Sequence, residues 1–132
     1  MKKVLKLAAA AVACCSIMMP AMAQSTSVSG RIAAAGAVLT SPVAKKDTAS
    51  YTPASAYFSK LYNTDSAKRP LTLRIRTSDL QAVSSPVAAN STGSYGISYY
   101  NGQGWNGSYY VLRVATHTES NSYAEVTASF QP

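Results

Sequence analysis

The sequence predicts an all-β sandwich of about seven short strands. Three observations carry that expectation. After the first 23 residues the chain is rich in Ser, Thr, Tyr, Val and Gly. Several stretches alternate apolar and polar residues, the period of a half-buried strand, and no stretch keeps a helical period. Gly, Pro and Asn signals separate these stretches at short intervals, as in sandwiches and small barrels.

In chain order, Thr26–Ile32 alternates with Thr26, Val28, Gly30 and Ile32 on one face. Ala33–Leu39 is small and apolar and is expected to continue as a second strand piece, ended by Ser41-Pro42. Lys45-Lys46-Asp47 reads as a solvated turn. Tyr51–Tyr62 reads as a strand with two available phases. Asn63–Pro70 is polar, charged and closed by Pro, which is loop chemistry.

Leu71–Thr77 is the clearest strand, with Leu71, Leu73 and Ile75 inward and Thr72, Arg74 and Arg76 toward water. Ser84–Gly93 reads as a loop. Tyr95–Tyr99 alternates again, and Asn101-Gly102 is a turn signal. Ser108–His117 is then expected to pair back on Tyr95–Tyr99 as a hairpin, with Tyr110, Leu112 and Val114 inward. Ala124, Val126, Ala128 and Phe130 define the inner face of a final strand.

Residues 1–23 have the three parts of a secretory signal peptide. Lys2, Lys3 and Lys6 form the positive region, Leu7–Met19 is an uncharged, mostly apolar run, and Ala21-Met22-Ala23 is a small-x-small cleavage site. The run is too short for a membrane anchor, which needs about 20 apolar residues. Val12-Ala13-Cys14 only partly matches a lipidation signal, and the cleaner site lies downstream. Removing 23 of 132 residues leaves a single domain, 24–132, of 109 residues. Both cysteines, Cys14 and Cys15, go with the signal, so the domain has no disulfide. Nine Lys and Arg against five acids leave it at +4, with the basic residues scattered along the chain. That pattern, in an exported chain, excludes a nucleic-acid partner.

The chemical inventory predicts no enzyme, no metal and no cofactor. His117 is the only histidine. With Glu119 it makes two ligands at most, where a zinc site needs at least three. No serine sits in a nucleophile elbow. Gly102–Gly107 is glycine-rich but leads into no helix, so it lacks the amide-lined terminus of a phosphate loop. The aromatic run is the richer feature. Tyr95, Tyr99, Tyr100, Trp105, Tyr109 and Tyr110 fall within 16 residues, and about half should face the core. Trp105, with Tyr100 and Tyr109, is the candidate ligand contact.

Three segments together resemble the chaperone–usher pilus subunits, closest to their cysteine-free colonisation-factor type. Thr26–Ala34 resembles the N-terminal donor strand, with Gly30 at its small position. Asn63–Arg69 leading into Leu71–Ile75 is similar to a polar turn and strand of those pilins, and Asn121–Phe130 resembles their closing strand. The resemblance implies an immunoglobulin-like sandwich that lacks its last strand and takes one from a partner. Such an open groove leaves unpaired edges that are costly in isolation. Carried over, Thr26, Val28, Gly30, Ile32 and Ala34 (within residues 24–34) would be donor side chains. Ala124, Val126, Ala128 and Phe130 would line the acceptor groove. The partners implied are identical or related subunits and a periplasmic chaperone. The place implied is the periplasm in transit, then the cell surface. The alternative expectation is a secreted or periplasmic module that binds a carbohydrate or protein through the aromatic loop.

Overall fold

The computed structural model describes residues 25–132; the expected signal peptide, with Cys14 and Cys15, lies outside them. Nine strands form: β1 (Thr26–Ile32), β2 (Val38–Thr40), β3 (Ala44–Lys45), β4 (Ala54–Asn63), β5 (Leu71–Thr77), β6 (Val87–Ala89), β7 (Gly93–Ile97), β8 (Tyr109–Ala115) and β9 (Ala124–Gln131). They make two antiparallel sheets packed face to face. One runs β1-β9-β4-β7 and the other β2-β8-β5-β6, with β3 also paired to β8. The sandwich expected from the alternating stretches is the fold.

The core lies between the sheets and follows the period-two pattern. Leu71, Leu73, Ile75, Leu112 and Val114 are fully buried from one sheet; Ala56, Phe58, Val126, Ala128 and Phe130 meet them from the other. Within the second sheet large stands opposite small: Ala56 faces Phe130 and Phe58 faces Ala128. Alternating volumes fill the interlayer space without strain.

β4 uses both of its available phases. Its register against β9 shifts between Phe58 and Lys60. A bulge inserts one residue and reverses the faces beyond it. Ala54, Ala56 and Phe58 point inward before the bulge, and the half-buried Leu61 after it.

Four expectations are corrected. Residues 33–37 form a turn with left-handed Ala35 (φ 60°) and Gly36 (φ 81°), so the second strand is only Val38–Thr40. The Lys45–Asp47 segment is no solvated turn: Ala44–Lys45 pairs with β8, and Lys46 is fully buried. A short strand, β6, occupies part of the expected 84–93 loop, because Val87–Ala89 pairs with Leu71–Leu73. The expected β7–β8 hairpin does not form. β7 pairs with β4, and β8 pairs with β5 in the other sheet. The Asn101–Gly102 turn exists, but the connection around it crosses between sheets instead of joining neighbours.

Candidate functional site

The donor and acceptor residues named from sequence stand directly against one another, in one chain. β1 pairs with β9 over its whole length, with Thr26 opposite Phe130, Val28 opposite Ala128, Gly30 opposite Val126 and Ile32 opposite Ala124. Val28 and Ile32 are buried, as are all four acceptor residues, and β1 of the same chain lies beside the row from Ala124 to Phe130. Ala34 lies past the strand, in the turn.

β1 is an edge strand, and its outer face is tied to β9 by polar contacts. Arg31 donates to Glu125 Oε1 at 2.7 Å, and Lys60 of β4 donates to Glu125 Oε2 at 2.9 Å. These bonds, from Lys60 first and then Arg31, hold the Glu125 carboxyl below the usual range. The Arg31 guanidinium also stacks over Tyr123, 3.9 Å from the ring centre. Ser29 and Thr127 share a hydroxyl bond at 3.0 Å. A shallow cavity of about 210 Å³ opens where the β4 bulge leaves space beside Gly30 and Val126. A Cβ on Gly30 would meet only Leu39, at 3.6 Å, an ordinary contact.

The turn after β1 is pinned. Ala35 N–H donates to Ser120 O, Gly36 N–H to Thr116 Oγ1, and the Thr116 hydroxyl to Ala33 O. A non-glycine residue in the left-handed region costs roughly 1 kcal/mol or more. The turn after β1 therefore stores strain.

The aromatic residues divide as expected in number but not in grouping. Tyr95 packs edge-on against Phe58, and Tyr99 against the buried Tyr110. Trp105, Tyr100 and Tyr109 are exposed. The ring against Trp105 is Tyr51, with centres 5.2 Å apart, rather than Tyr100 or Tyr109. Trp105 Nε1 donates to Gly102 O, which fixes the indole. Tyr100 instead receives a bond from Arg74 through its hydroxyl, and Tyr109 lies opposite Lys45.

Two loops close this end of the sandwich. Tyr51 N–H donates to Gly104 O, and Asn106 bonds to Ser50 Oγ and Thr48 O. Beneath them Lys46 Nζ donates to Thr48 Oγ1 and Thr52 O, both at 2.7 Å, and lies 4.9 Å from the centre of the Tyr99 ring. Burial lowers the Lys46 pKa and raises that of Tyr99. Gly104 is required here. Its φ is +85°, and a Cβ would come within 2.5 Å of the Tyr99 ring.

His117 and Glu119 make no site: the Glu119 N–H donates to His117 Nδ1 in an exposed turn. Among the described residues no three His, Cys, Asp or Glu gather as a metal site. The residues that sequence reasoning missed are basic. Arg74 and Arg113, far apart in sequence, stand opposite each other across β5 and β8. Alternation in Leu71–Thr77 was signal enough to put Arg74 and Arg76 on one face; the third member needed the strand pairing.

No protein-family model matches the chain, and no curated protein does. Several solved structures are loosely similar, among them the following two. The crystal structure of PirA gives a TM-score of 0.41 at 10% identity, over 80% of this chain and 91% of that one. The crystal structure of FLHE gives 0.38 at 12% identity, over 82% and 96%. At these values the likeness says nothing about function.

Proposed function

We propose that this chain is a structural subunit of a surface fimbria that contributes to adhesion and assembles by exchange of β1 between subunits. The observation that carries the reading is the register: Thr26, Val28, Gly30 and Ile32 pair with Phe130, Ala128, Val126 and Ala124 from an edge strand. That strand hangs on a short strained turn at Ala35–Gly36. Strained short hinges favour strand swapping. Exposing Val28 and Ile32 on release costs roughly 3–6 kcal/mol, at about 1.5–3 for each side chain. A neighbour's β1 would restore the same contacts, so exchange between copies is a low-cost route to assembly. A head-to-tail exchange that does not close on itself builds a fibre. The cost of the open intermediate is the reason such a subunit would need a periplasmic chaperone's strand in transit.

The test uses a cysteine pair. Val28→Cys with Ala128→Cys places two thiols at directly paired positions, in an exported chain that otherwise has none after signal cleavage. Full-length protein exported with its native signal is oxidised and run without reductant. Exchange predicts a ladder of disulfide-linked multimers. A disulfide confined to one chain at every concentration, in a protein that stays a stable monomer, sinks the proposal.

A second reading has its own observation. The exposed Trp105–Tyr51 pair is held rigid by bonded loops, the usual form of a sugar-stacking platform. On that reading Trp105→Ala abolishes glycan binding and leaves the melting temperature unchanged.

A further inference from the structure

The outer faces of the two sheets treat their basic residues differently, and β5 and β8 hold the unpaired ones. Across these strands Arg74 stands opposite Arg113, and Arg76 opposite Val111. Like charges placed directly opposite each other destabilise a sheet. No carboxylate pairs with Arg74, Arg76 or Arg113 among the described residues. Backbone and hydroxyl oxygens aim Arg74 and Arg76 instead. Arg74 Nε donates to Ser84 O at 2.9 Å and its Nη2 to the Tyr100 hydroxyl at 2.9 Å. Arg76 Nη1 donates to Leu80 O at 2.7 Å, while its Nε is buried with no partner. Val111 is only 3% exposed although it points outward, so it is covered beside Arg76. Burial first, and then the charges of Arg113 and Arg74, lower the Arg76 pKa.

The three arginines line a groove of about 230 Å³ with Val38, Thr72 and Ala115. Each guanidinium has five N–H donors in a planar fork that fits a sulfate or carboxylate bidentately. Arg74 and Arg76 use three donors on protein oxygens between them, and Arg113 uses none among the described residues. We propose that this groove on the outer face of β5 and β8 binds an acidic polysaccharide, one whose chain carries sulfate or carboxylate groups.

Charge complementarity selects that occupant. The groove repels cations and gains from neutralising three like charges. Arg74 and Arg76 are two residues apart on one strand, so their Cα atoms are spaced roughly 7 Å along it. A spaced polyanion can satisfy such a row, whereas one small ion can meet only part of it on an open face. Val38 is the one large apolar side chain lining the groove, too little to anchor in a lipid bilayer. The exposed Tyr100 ring, fixed by Arg74, lies at the margin where a sugar ring can stack.

The probe is dextran sulfate, with uncharged dextran and inorganic sulfate as comparisons, titrated by calorimetry against the whole exported protein. Wild type is expected to bind dextran sulfate, to ignore dextran and to weaken with added salt. Arg74→Gln with Arg113→Gln should lose at least about tenfold in affinity, the scale of one charged hydrogen bond. Arg113→Gln alone, at a side chain that bonds no other residue here, should lose about threefold or more and keep the wild-type melting temperature. Lys60→Gln with Lys68→Gln removes the same two charges elsewhere and should change affinity less than about twofold. The proposal is overturned by equal loss in both double variants, which marks net charge alone. It is also overturned by no binding of dextran sulfate, or by inorganic sulfate competing as well as the polymer at equal sulfate concentration. It needs no strand exchange, so a monomer that never assembles leaves it standing.

Discussion

Among the described residues the two fully buried charges stand at opposite ends of β4 and are stabilised in different ways. Asp65, beyond the strand's last residue, accepts from the Arg69 N–H, the Arg69 guanidinium and the Asn121 N–H. Lys46, near the strand's start, has no carboxylate at all, only two neutral oxygens and the face of Tyr99. An isolated buried charge is costly. The comparison teaches that oriented dipoles can replace a counter-ion, provided the geometry is built by the loops themselves. At the Asp65 end one loop supplies most of the partners within four residues. At the Lys46 end two loops distant in sequence must close together.

The heaviest blow to that difference should come from Lys46→Ala, which leaves a cavity and unpaired oxygens. It should lower unfolding free energy by about 2–4 kcal/mol in urea melts, and Lys46→Met should recover most of the loss by restoring the stem. If Met is as damaging as Ala, the ammonium contacts matter more than the packing. Next, Gly104→Ala should cost about 1–3 kcal/mol, because a Cβ at φ +85° meets the Tyr99 ring that covers Lys46. Asp65→Asn should lower the melting temperature less than Lys46→Ala: side-chain volume is kept, but the Arg69 and Asn121 N–H groups bond different oxygens and an amide keeps only one of them as acceptor.

The two ends also part company in pH. The backbone N–H of Arg69 first, then that of Asn121, holds the Asp65 carboxyl below its usual range. Its contribution is therefore full above the unfolded value of about 3.9 and is lost as pH falls through the lowered folded value. Lys46 has its pKa lowered by burial, so its penalty is greatest below that lowered value. The penalty recedes as pH rises toward the unfolded value of about 10.4. Urea melts at acid pH should show a loss that Asp65→Asn removes; melts at alkaline pH should show a gain absent from Lys46→Met. The smallest effect is expected from Tyr99→Phe. The Tyr99 hydroxyl is buried without a partner, so removing it should leave stability unchanged or raise it by up to about 1 kcal/mol.

Much of the sandwich was legible where alternation is clean. β1 and β5 appear with the bounds read from sequence, and the inner faces of β8 and β9 are the ones predicted. The same alternation placed the two rows of the β1–β9 pair, although only the fold could show them meeting in one chain. Lys46 was missed because a Lys-Lys-Asp run ordinarily marks solvated surface, and its partners lie in loops with no pattern of their own. The false hairpin had a true turn at its centre; nothing local indicates that its flanks belong to different sheets. The arginine groove depends on a pairing between residues about forty positions apart, which no single stretch encodes.

The order of strands has a consequence for how this chain comes to be folded. Among the described residues only β5 and β6 pair as immediate neighbours in sequence; every other pairing there spans a long stretch of chain. β9, the last strand in order, sits between β1 and β4 and holds that sheet together. The sheet therefore cannot close until the residues of β9 are present. Folds dominated by distant pairings form in milliseconds to seconds, slowly for their size. A chain built this way stays open while it is being made, and closes only after its last strand arrives.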